Sequence, residues 1–129
     1  TGKYADFFSN IKVLPDLNGN GRLTLGENLA DHGGLQVAFN AFLNATKNAP
    51  LSTIDGLTPA QRFFLAYAGV WAGNITEKEI RSRTKSDPHS LGKWRVDGAL
   101  PHINAWYEAF GVKPGDKMYI PENERLNLW

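Results

Sequence analysis

Residues 25–35 read Leu-Gly-Glu-Asn-Leu-Ala-Asp-His-Gly-Gly-Leu, and this stretch decides the fold and the chemistry expected of the chain. Its two carboxylates, Glu27 and Asp31, are one helical turn apart and therefore share a face of a helix. The same face continues through Gly34, Ala38 and Ala45, which are small or apolar. We expect both acids to point inward, where a carboxylate needs a cation, a metal ion or hydrogen-bond donors as partners.

The same stretch has a second interpretation, as the start of an ordinary helix. Thr24 and Glu27 have the spacing of a capping box, and the helix dipole favours an acid in the first turn. Gly33 and Gly34 favour the functional interpretation, because glycines inside a helix cost roughly 1 kcal/mol each relative to alanine. Such a cost indicates close approach of another backbone, so we expect something to pack tightly against this helix.

Elsewhere, glycines and prolines separate segments with helical periodicity, so the expected fold class is mainly α. Helices are expected from Thr24 to about Lys47, from Pro59 to Gly73, from Thr76 to about Arg83 and from Pro101 to Gly111. The second of these is apolar nearly all round, which predicts burial. Residues 1–23 are expected to form a strand or loop, and the irregular tail includes at most a short strand at 118–120.

Composition excludes several classes of function. A chain of 129 residues is long enough for one domain, or part of one. No apolar run approaches the roughly 18 residues that a membrane helix needs. The net charge of +1 is spread along the chain without a basic stripe, so no nucleic acid is expected as a partner. Cysteine is absent, so a metal ion would be held by His, Asp, Glu or carbonyl oxygen.

The segment from Gly26 to Gly34 resembles the Glu-Asn-x-Ala-Asp-x-Gly-Gly signature of the neprilysin and endothelin-converting enzyme family of zinc metallopeptidases. The resemblance implies that Glu27 is the third zinc ligand, after two histidines of an upstream His-Glu-x-x-His helix, and that Asp31 orients one of those histidines. The fold it implies is the C-terminal helical part of a thermolysin-like zincin catalytic domain.

The resemblance continues through the second half of the chain. It implies that Val70 and Trp71 line an apolar pocket for the substrate residue after the cleaved bond. Within Ser-Asp-Pro-His-Ser at 86–90, it implies that His89 donates a hydrogen bond to the oxyanion of the tetrahedral intermediate. It implies that Arg95 holds a carbonyl of the substrate backbone.

From the residues alone, each assignment has an ordinary alternative. A histidine after Asp-Pro, such as His89, is typical of a cap or a surface position. Arg95 has Trp94 to stack on and Asp97 to pair with, and Val70 and Trp71 suit a protein core.

The sequence contains no His-Glu-x-x-His segment, whereas zinc hydrolases of this type use two imidazoles, a carboxylate and a second glutamate as general base. Residues 1–129 are therefore expected to be the C-terminal segment of a catalytic domain that takes zinc as cofactor. The expected partners are peptide substrates and the remainder of that domain. Alone, the segment should be inactive, and an uncovered face at Gly34, Leu35 and Ala38 should favour self-association.

The end of the chain refines the resemblance. Trp129 matches the family's closing aromatic residue, and Leu126 stands where animal members have a cysteine. The leucine argues against an animal protein, so we expect a bacterial-like member. For its compartment, the periplasm, the cell surface or the extracellular space is favoured over the cytoplasm.

Residues Asp16 to Glu27 also fit the calcium loop of an EF-hand, with oxygen donors, a glycine and a final glutamate at the required positions. Against calcium, Pro15 disfavours a helix that ends at Leu14, and no second loop is present to pair with the first. Glu27 also cannot serve a calcium loop and a zinc-binding helix in one geometry. A non-catalytic helical interaction domain is the remaining alternative.

Overall fold

The computed structural model describes residues 1–128, which form six α-helices and one β-hairpin. The elements in chain order are α1 (Gly2–Ser9), β1 (Lys12–Leu14), β2 (Leu17–Asn18), α2 (Leu25–Thr46), α3 (Pro59–Val70), α4 (Glu77–Ser86), α5 (Gly92–Asp97) and α6 (Asn104–Phe110). Single 3₁₀ turns cover Leu100–His102 and Glu122–Glu124. The expected fold class, mainly α, is confirmed, while the closing Trp129 lies outside the described residues.

Local sequence signals set several helix ends. The Thr58 side chain accepts from the Gln61 backbone N–H, the Gln61 side chain accepts from the Thr58 N–H, and Pro59 occupies the first turn of α3. These reciprocal bonds form a capping box, and with Pro59 they explain why the helix starts where expected. Gly111 ends α6 with φ +62°, a left-handed conformation that glycine adopts without a steric penalty.

The main core lies where α2, α3 and α6 meet. Phe39 of α2 stacks on Phe64 of α3, with ring centroids 5.0 Å apart, and α6 contributes Trp106 and Tyr107. The other buried residues of this cluster are Leu35, Leu100 and Ile103. Burial of such side chains stabilises the fold by about 1.5–3 kcal/mol each, so this cluster fixes α2 relative to the C-terminal half.

The expected strand or loop over residues 1–23 is wrong at its start, because Gly2–Ser9 form α1. Tyr4, Ala5 and Phe8 lie on one face of this helix and are buried. Thr1 makes no side-chain capping bond, so packing of that face, rather than a cap, stabilises α1. The hairpin of β1 and β2 follows as an antiparallel pair.

Three other expectations differ from the structure. Helix α3 is not buried all round: Phe64 is buried, whereas Val70 is 71% exposed, because only one side of α3 packs on α2 and α6. Pro101 lies in a 3₁₀ turn, and α6 begins three residues later at Asn104. Residues 118–120 form no strand. Within residues 1–128, no helix combines the length and the apolarity needed to cross a membrane.

Candidate active site

Glu27 lies in the first turn of α2 and is half exposed, with 44% of its side chain accessible. The buried face of α2 is a different one and consists of Asn28, His32, Gly33, Leu35 and Phe39. The prediction that both acids point inward is confirmed for Asp31, whose side chain is 12% exposed. It is wrong for Glu27 within residues 1–128, where Gly34, Ala38 and Ala45 on the same face are exposed. The capping box expected at Thr24 is also wrong, since Thr24 makes no side-chain capping bond.

His89 lies in the loop between α4 and α5, and Asp87 fixes its ring. One oxygen of Asp87, Oδ1, accepts both the His89 backbone N–H at 2.9 Å and the ring Nδ1–H at 2.8 Å. The other oxygen accepts from Arg83 Nε at 2.8 Å. These bonds, led by the His89 backbone N–H, lower the pKa of Asp87 to about 2, so this carboxylate is ionised at neutral pH.

The orientation imposed by Asp87 leaves the far nitrogen of His89 facing α2. His89 Nε2 is 3.5 Å from Glu27 Oε2. Because Nδ1–H is donated to Asp87, Nε2 donates a hydrogen bond only when the ring carries both protons. The structure thus brings together Glu27 and His89, which are 62 positions apart in the sequence.

Arg95 of α5 is held by Asp31 of α2. Its Nε and Nη2 each donate to one carboxylate oxygen at 2.7 Å, and the side chains of Arg95 and Asp31 are only 14% and 12% exposed. The guanidinium lies over the Trp71 ring, 3.8 Å from its centroid, and Tyr67 Oη donates to the Arg95 carbonyl at 2.8 Å. The Asp31 carboxylate raises the pKa of Arg95, so its positive charge is permanent.

A close approach of backbones places Arg95 over α3. A Cβ atom on Gly92 would lie 2.6 Å from the Trp71 carbonyl oxygen, so only glycine lets the start of α5 sit against the end of α3. The partners suggested by sequence proximity, Trp94 and Asp97, instead contact the side chain of Lys93. The alternative in which Arg95 stacks on Trp94 or pairs with Asp97 is therefore wrong.

The residues present fit one ligand of a metal site rather than a whole site. No group of three or more His, Asp and Glu residues that could hold a metal ion occurs in the described part of the chain. Among residues 1–128, the nearest basic side chain to Glu27 is His89, whose Nε2 lies 3.5 Å away, so no close hydrogen-bonded ion pair engages this carboxylate. A half-exposed carboxylate in this state suits zinc when the other donors come from elsewhere.

The calcium alternative is wrong. The segment before the candidate loop is the strand β1, not the helix that an EF-hand requires. Asp16, the first candidate ligand, is occupied by Arg81, whose Nη1 and Nη2 donate to its two oxygens at 3.1 and 2.9 Å.

A comparison with families of known proteins agrees with this geometry. The model of peptidase family M13 matches residues 2–126, nearly the whole chain. The chain belongs to peptidase family M13. The expected kinship with neprilysin and the endothelin-converting enzymes is thereby confirmed.

Two named relatives illustrate this M13 membership. Neprilysin-3 of Drosophila melanogaster is 34% identical over 131 aligned residues, which cover 98% of this chain and 16% of the fly protein. Human endothelin-converting enzyme 1 is 42% identical over 113 residues, covering 85% of this chain and 14% of the human one. The chain thus spans less than a fifth of the length of these relatives.

Two solved structures share the fold over 99% of this M13 chain. The zinc metalloprotease Zmp1 of Mycobacterium tuberculosis, in complex with an inhibitor, superposes with a TM-score of 0.94 at 28% identity. PepO of Lactobacillus rhamnosis gives 0.82 at 31% identity. The chain covers 20% and 19% of those two structures, so the expected zincin fold is confirmed for this part.

Beside α2, the M13 chain has a wide groove of about 1340 Å³. One wall is the exposed side of α2 with Ala30, Gly34, Val37 and Ala38; the others are the start of α1 and residues 125–128. A Cβ atom built on Gly34 meets nothing within 4 Å. Residues 1–128 therefore supply no packing partner at Gly34. The expectation that Leu35 lies on the same uncovered face is wrong, because Leu35 is 6% exposed and belongs to the core.

Sequence reasoning missed the residues that hold the site together. Asp87 carries a detectable signal, since an Asp two residues before His89 is typical of an Asx turn. Asn28 lies inside the signature, but its partner Ser90 is 62 positions away in the sequence. The partners Asp31 and Arg95 are likewise 64 positions apart. No local pattern indicates such contacts.

Proposed function

We propose that this chain is the C-terminal portion of the catalytic domain of a longer M13 zinc metallopeptidase, called the parent below, which hydrolyses peptide bonds in oligopeptides. The observation that carries the proposal is the pair of Glu27 and His89. A half-exposed carboxylate on α2 faces an imidazole that is oriented by an ionised Asp87. A metal-bound carboxylate beside an oriented proton donor is the arrangement that hydrolysis of a peptide by zinc-activated water requires.

Glu27 would hold the metal ion through its carboxylate. Zinc, when bound, polarises the scissile carbonyl and lowers the pKa of the attacking water. A zinc site of this type needs three protein donors and a general base, and this chain lacks the His-Glu-x-x-His segment that supplies the others. The isolated segment is therefore inactive under this proposal, and the parent completes the site.

His89 would stabilise the negative charge that develops on the carbonyl oxygen of the substrate. With Nδ1–H donated to Asp87, the doubly protonated ring directs Nε2–H toward the region of Glu27. The ionised Asp87 fixes the ring plane through the Nδ1–H bond, so little reorganisation is needed during the reaction.

Arg95 would bind the substrate backbone, and Asp31 would hold Arg95 and orient a zinc-binding histidine of the parent. Two guanidinium nitrogens are engaged by Asp31, and Nη1 makes no hydrogen bond within residues 1–128, which leaves it available for a backbone carbonyl of the peptide. Asp31 uses one lone pair on each oxygen for Arg95, so further acceptor capacity remains for the imidazole of a ligand histidine.

Val70 and Trp71 would contribute to the pocket for an apolar substrate side chain. The 71% exposure of Val70 leaves its methyl groups free to contact a ligand. Trp71 turns one ring face to Arg95, so the indole would link the side-chain pocket to the backbone anchor.

The remainder of the parent's catalytic domain would fill the groove beside α2. Its apolar lining, the open space at Gly34 and the small share of the relatives that this chain covers support this packing. Left uncovered, the same face would promote self-association of the isolated segment. Residence in the bacterial periplasm, at the surface or outside the cell belongs to the same proposal.

Substitution of Glu27 in the parent tests this function. Glu27→Gln keeps the side-chain shape but removes the anionic donor, so zinc content and peptide hydrolysis should fall together. Glu108→Gln, an exposed carboxamide substitution on α6, is the control and should leave both unchanged. A folded Glu27→Gln protein with a full complement of zinc and undiminished hydrolysis would refute the proposal.

A further inference from the structure

The buried amide of Asn28 joins α2 to the loop that carries His89. Asn28 is 2% exposed, and its Oδ1 accepts from Ser90 Oγ at 2.7 Å. Its Nδ2 donates to Thr24 Oγ1 at 2.9 Å, and the Thr24 hydroxyl donates in turn to the Asn20 carbonyl at 3.0 Å. Each hydrogen bond in this relay is donated in the same direction, from Ser90 to Asn28, from Asn28 to Thr24 and from Thr24 to Asn20. Each of these side chains is therefore fixed as a donor to the next residue.

The relay fixes one side of His89, and Asp87 fixes the other. Ser90 follows His89 directly, while Asp87 accepts from both the His89 backbone N–H and its ring. Asn28 itself follows Glu27 in the first turns of α2. The bond of Asn28 to Ser90 is therefore a direct link between the helix turn that presents Glu27 and the loop that presents His89.

The Asp31–Arg95 pair also joins α2 to the segment after His89, but the bond of Asn28 to Ser90 lies next in sequence to both Glu27 and His89 and so restrains their separation most directly. Asp87 orients the ring within its own loop, since its partners His89 and Arg83 belong to the same loop and to α4. It does not by itself place that loop against α2. A partly buried hydrogen bond of 2.7 Å between a rigid helix and the loop supplies this restraint, and catalytic geometry is sensitive to displacements of about 1 Å.

We infer that Asn28 and Ser90 are positioning residues that hold the His89 imidazole at its working distance from Glu27. The inference rests on the proposed function, because it assigns them to the oxyanion-stabilising role of His89. The hydroxyl of Ser90 acts only through its neighbour and makes no contact with the substrate. Loss of the bond lets the loop move away from α2, and the proton donor then no longer meets the developing charge.

The test uses the parent with zinc bound and compares Ser90→Ala with Ser90→Thr. Ser90→Ala should lower kcat about tenfold or more, with KM and zinc content little changed, because only transition-state stabilisation is weakened. Ser90→Thr keeps a hydroxyl donor and should recover most of the rate. Ser86→Ala is the matched control: it removes an exposed hydroxyl that donates to the Ser82 carbonyl, and kcat should not change.

A double-mutant cycle separates positioning from a general loss of structure. In a His89→Ala parent, Ser90→Ala should have no further effect on kcat, since the group that it positions is gone. Equal losses in both backgrounds, or an unaltered kcat in Ser90→Ala, would overturn the inference. If the wild-type parent is an active, zinc-dependent peptidase and either of these results is found, only this inference is refuted and the proposed function stands. A wild-type parent that binds zinc and hydrolyses no peptide would instead overturn the proposed function and the inference with it.

Discussion

The ion pair of Asp31 and Arg95 should be a major stabilising contact of this chain. The structure places a bidentate pair, with both bonds at 2.7 Å, where the two side chains are only 12% and 14% exposed. Asp31→Asn keeps the shape but removes the charge and turns an N–H group toward the guanidinium. Arg95 then stays over the Trp71 ring as a mostly buried cation without a counter-charge.

The size of the effect follows from this burial. Exposed pairs contribute about 0–1 kcal/mol, while removing one partner of a buried pair costs about 3–5 kcal/mol. A pair at slightly more than one-tenth exposure lies between these limits, so we expect Asp31→Asn to lower the free energy of unfolding by about 2 kcal/mol. With a urea m-value of about 2 kcal/mol per molar, the midpoint should fall by about 1 M.

Urea unfolding followed by circular dichroism measures this difference, and α5 offers a matched control. Asp97 pairs with Lys93, whose side chain is 65% exposed, so Asp97→Asn should cost only about 0.3–0.5 kcal/mol. Salt at 1 M should erase the control effect and leave most of the Asp31 effect, since buried pairs are screened less. Equal midpoint shifts for the two variants would refute the claim that burial strengthens the Asp31–Arg95 contact.

Three further predictions concern catalysis, pH and the isolated segment. In the parent, His89→Ala should lower kcat about a hundredfold, roughly 2.7 kcal/mol, with little change in KM, whereas Arg95→Ala should mainly raise KM; the same binding defect in both would contradict this division. Burial lowers the pKa of His32 and of His102 to about 4, so only the unfolded state takes up protons as the pH falls below about 6.5. The free energy of unfolding is therefore highest above that pH and should fall by about 2 kcal/mol per histidine by pH 5. Urea midpoints that do not change between pH 7 and 5 would disprove this pH dependence. Equilibrium dialysis and a quenched-peptide assay should find neither tight zinc binding nor cleavage by the isolated chain, and submicromolar zinc binding would show that the ligand set has been misassigned.

The sequence predicts the parts of the fold whose causes are local. The start of α3 at Pro59 and the end of α6 at Gly111 are correctly anticipated because each depends on residues within a few positions. Helix α1 is not predicted from the sequence, because Thr1 makes no capping bond and the packing of a single buried face stabilises the helix. The exposed side of α3 is also missed, since an apolar sequence does not reveal how many neighbours are present to cover it.

For the candidate site, the sequence indicates the chemical groups but not their contacts. The signature in α2 singles out Glu27 and Asp31, yet periodicity alone assigns Glu27 to the wrong face. Arg95 appears beside Trp94 and Asp97 in the sequence, while the fold pairs it with Asp31 and Trp71. Such long-range contacts depend on how α2, α3 and α5 pack, which no single segment encodes.

The position of zinc in the parent tests the central claim most directly. Crystals of the parent should be measured at the zinc absorption edge, so that the anomalous signal locates the metal independently of any assumed ligand. The account predicts a single strong peak with a carboxylate oxygen of Glu27 at about 2.0–2.2 Å. A zinc peak whose first coordination sphere, within about 3 Å, contains no atom of Glu27 would contradict it.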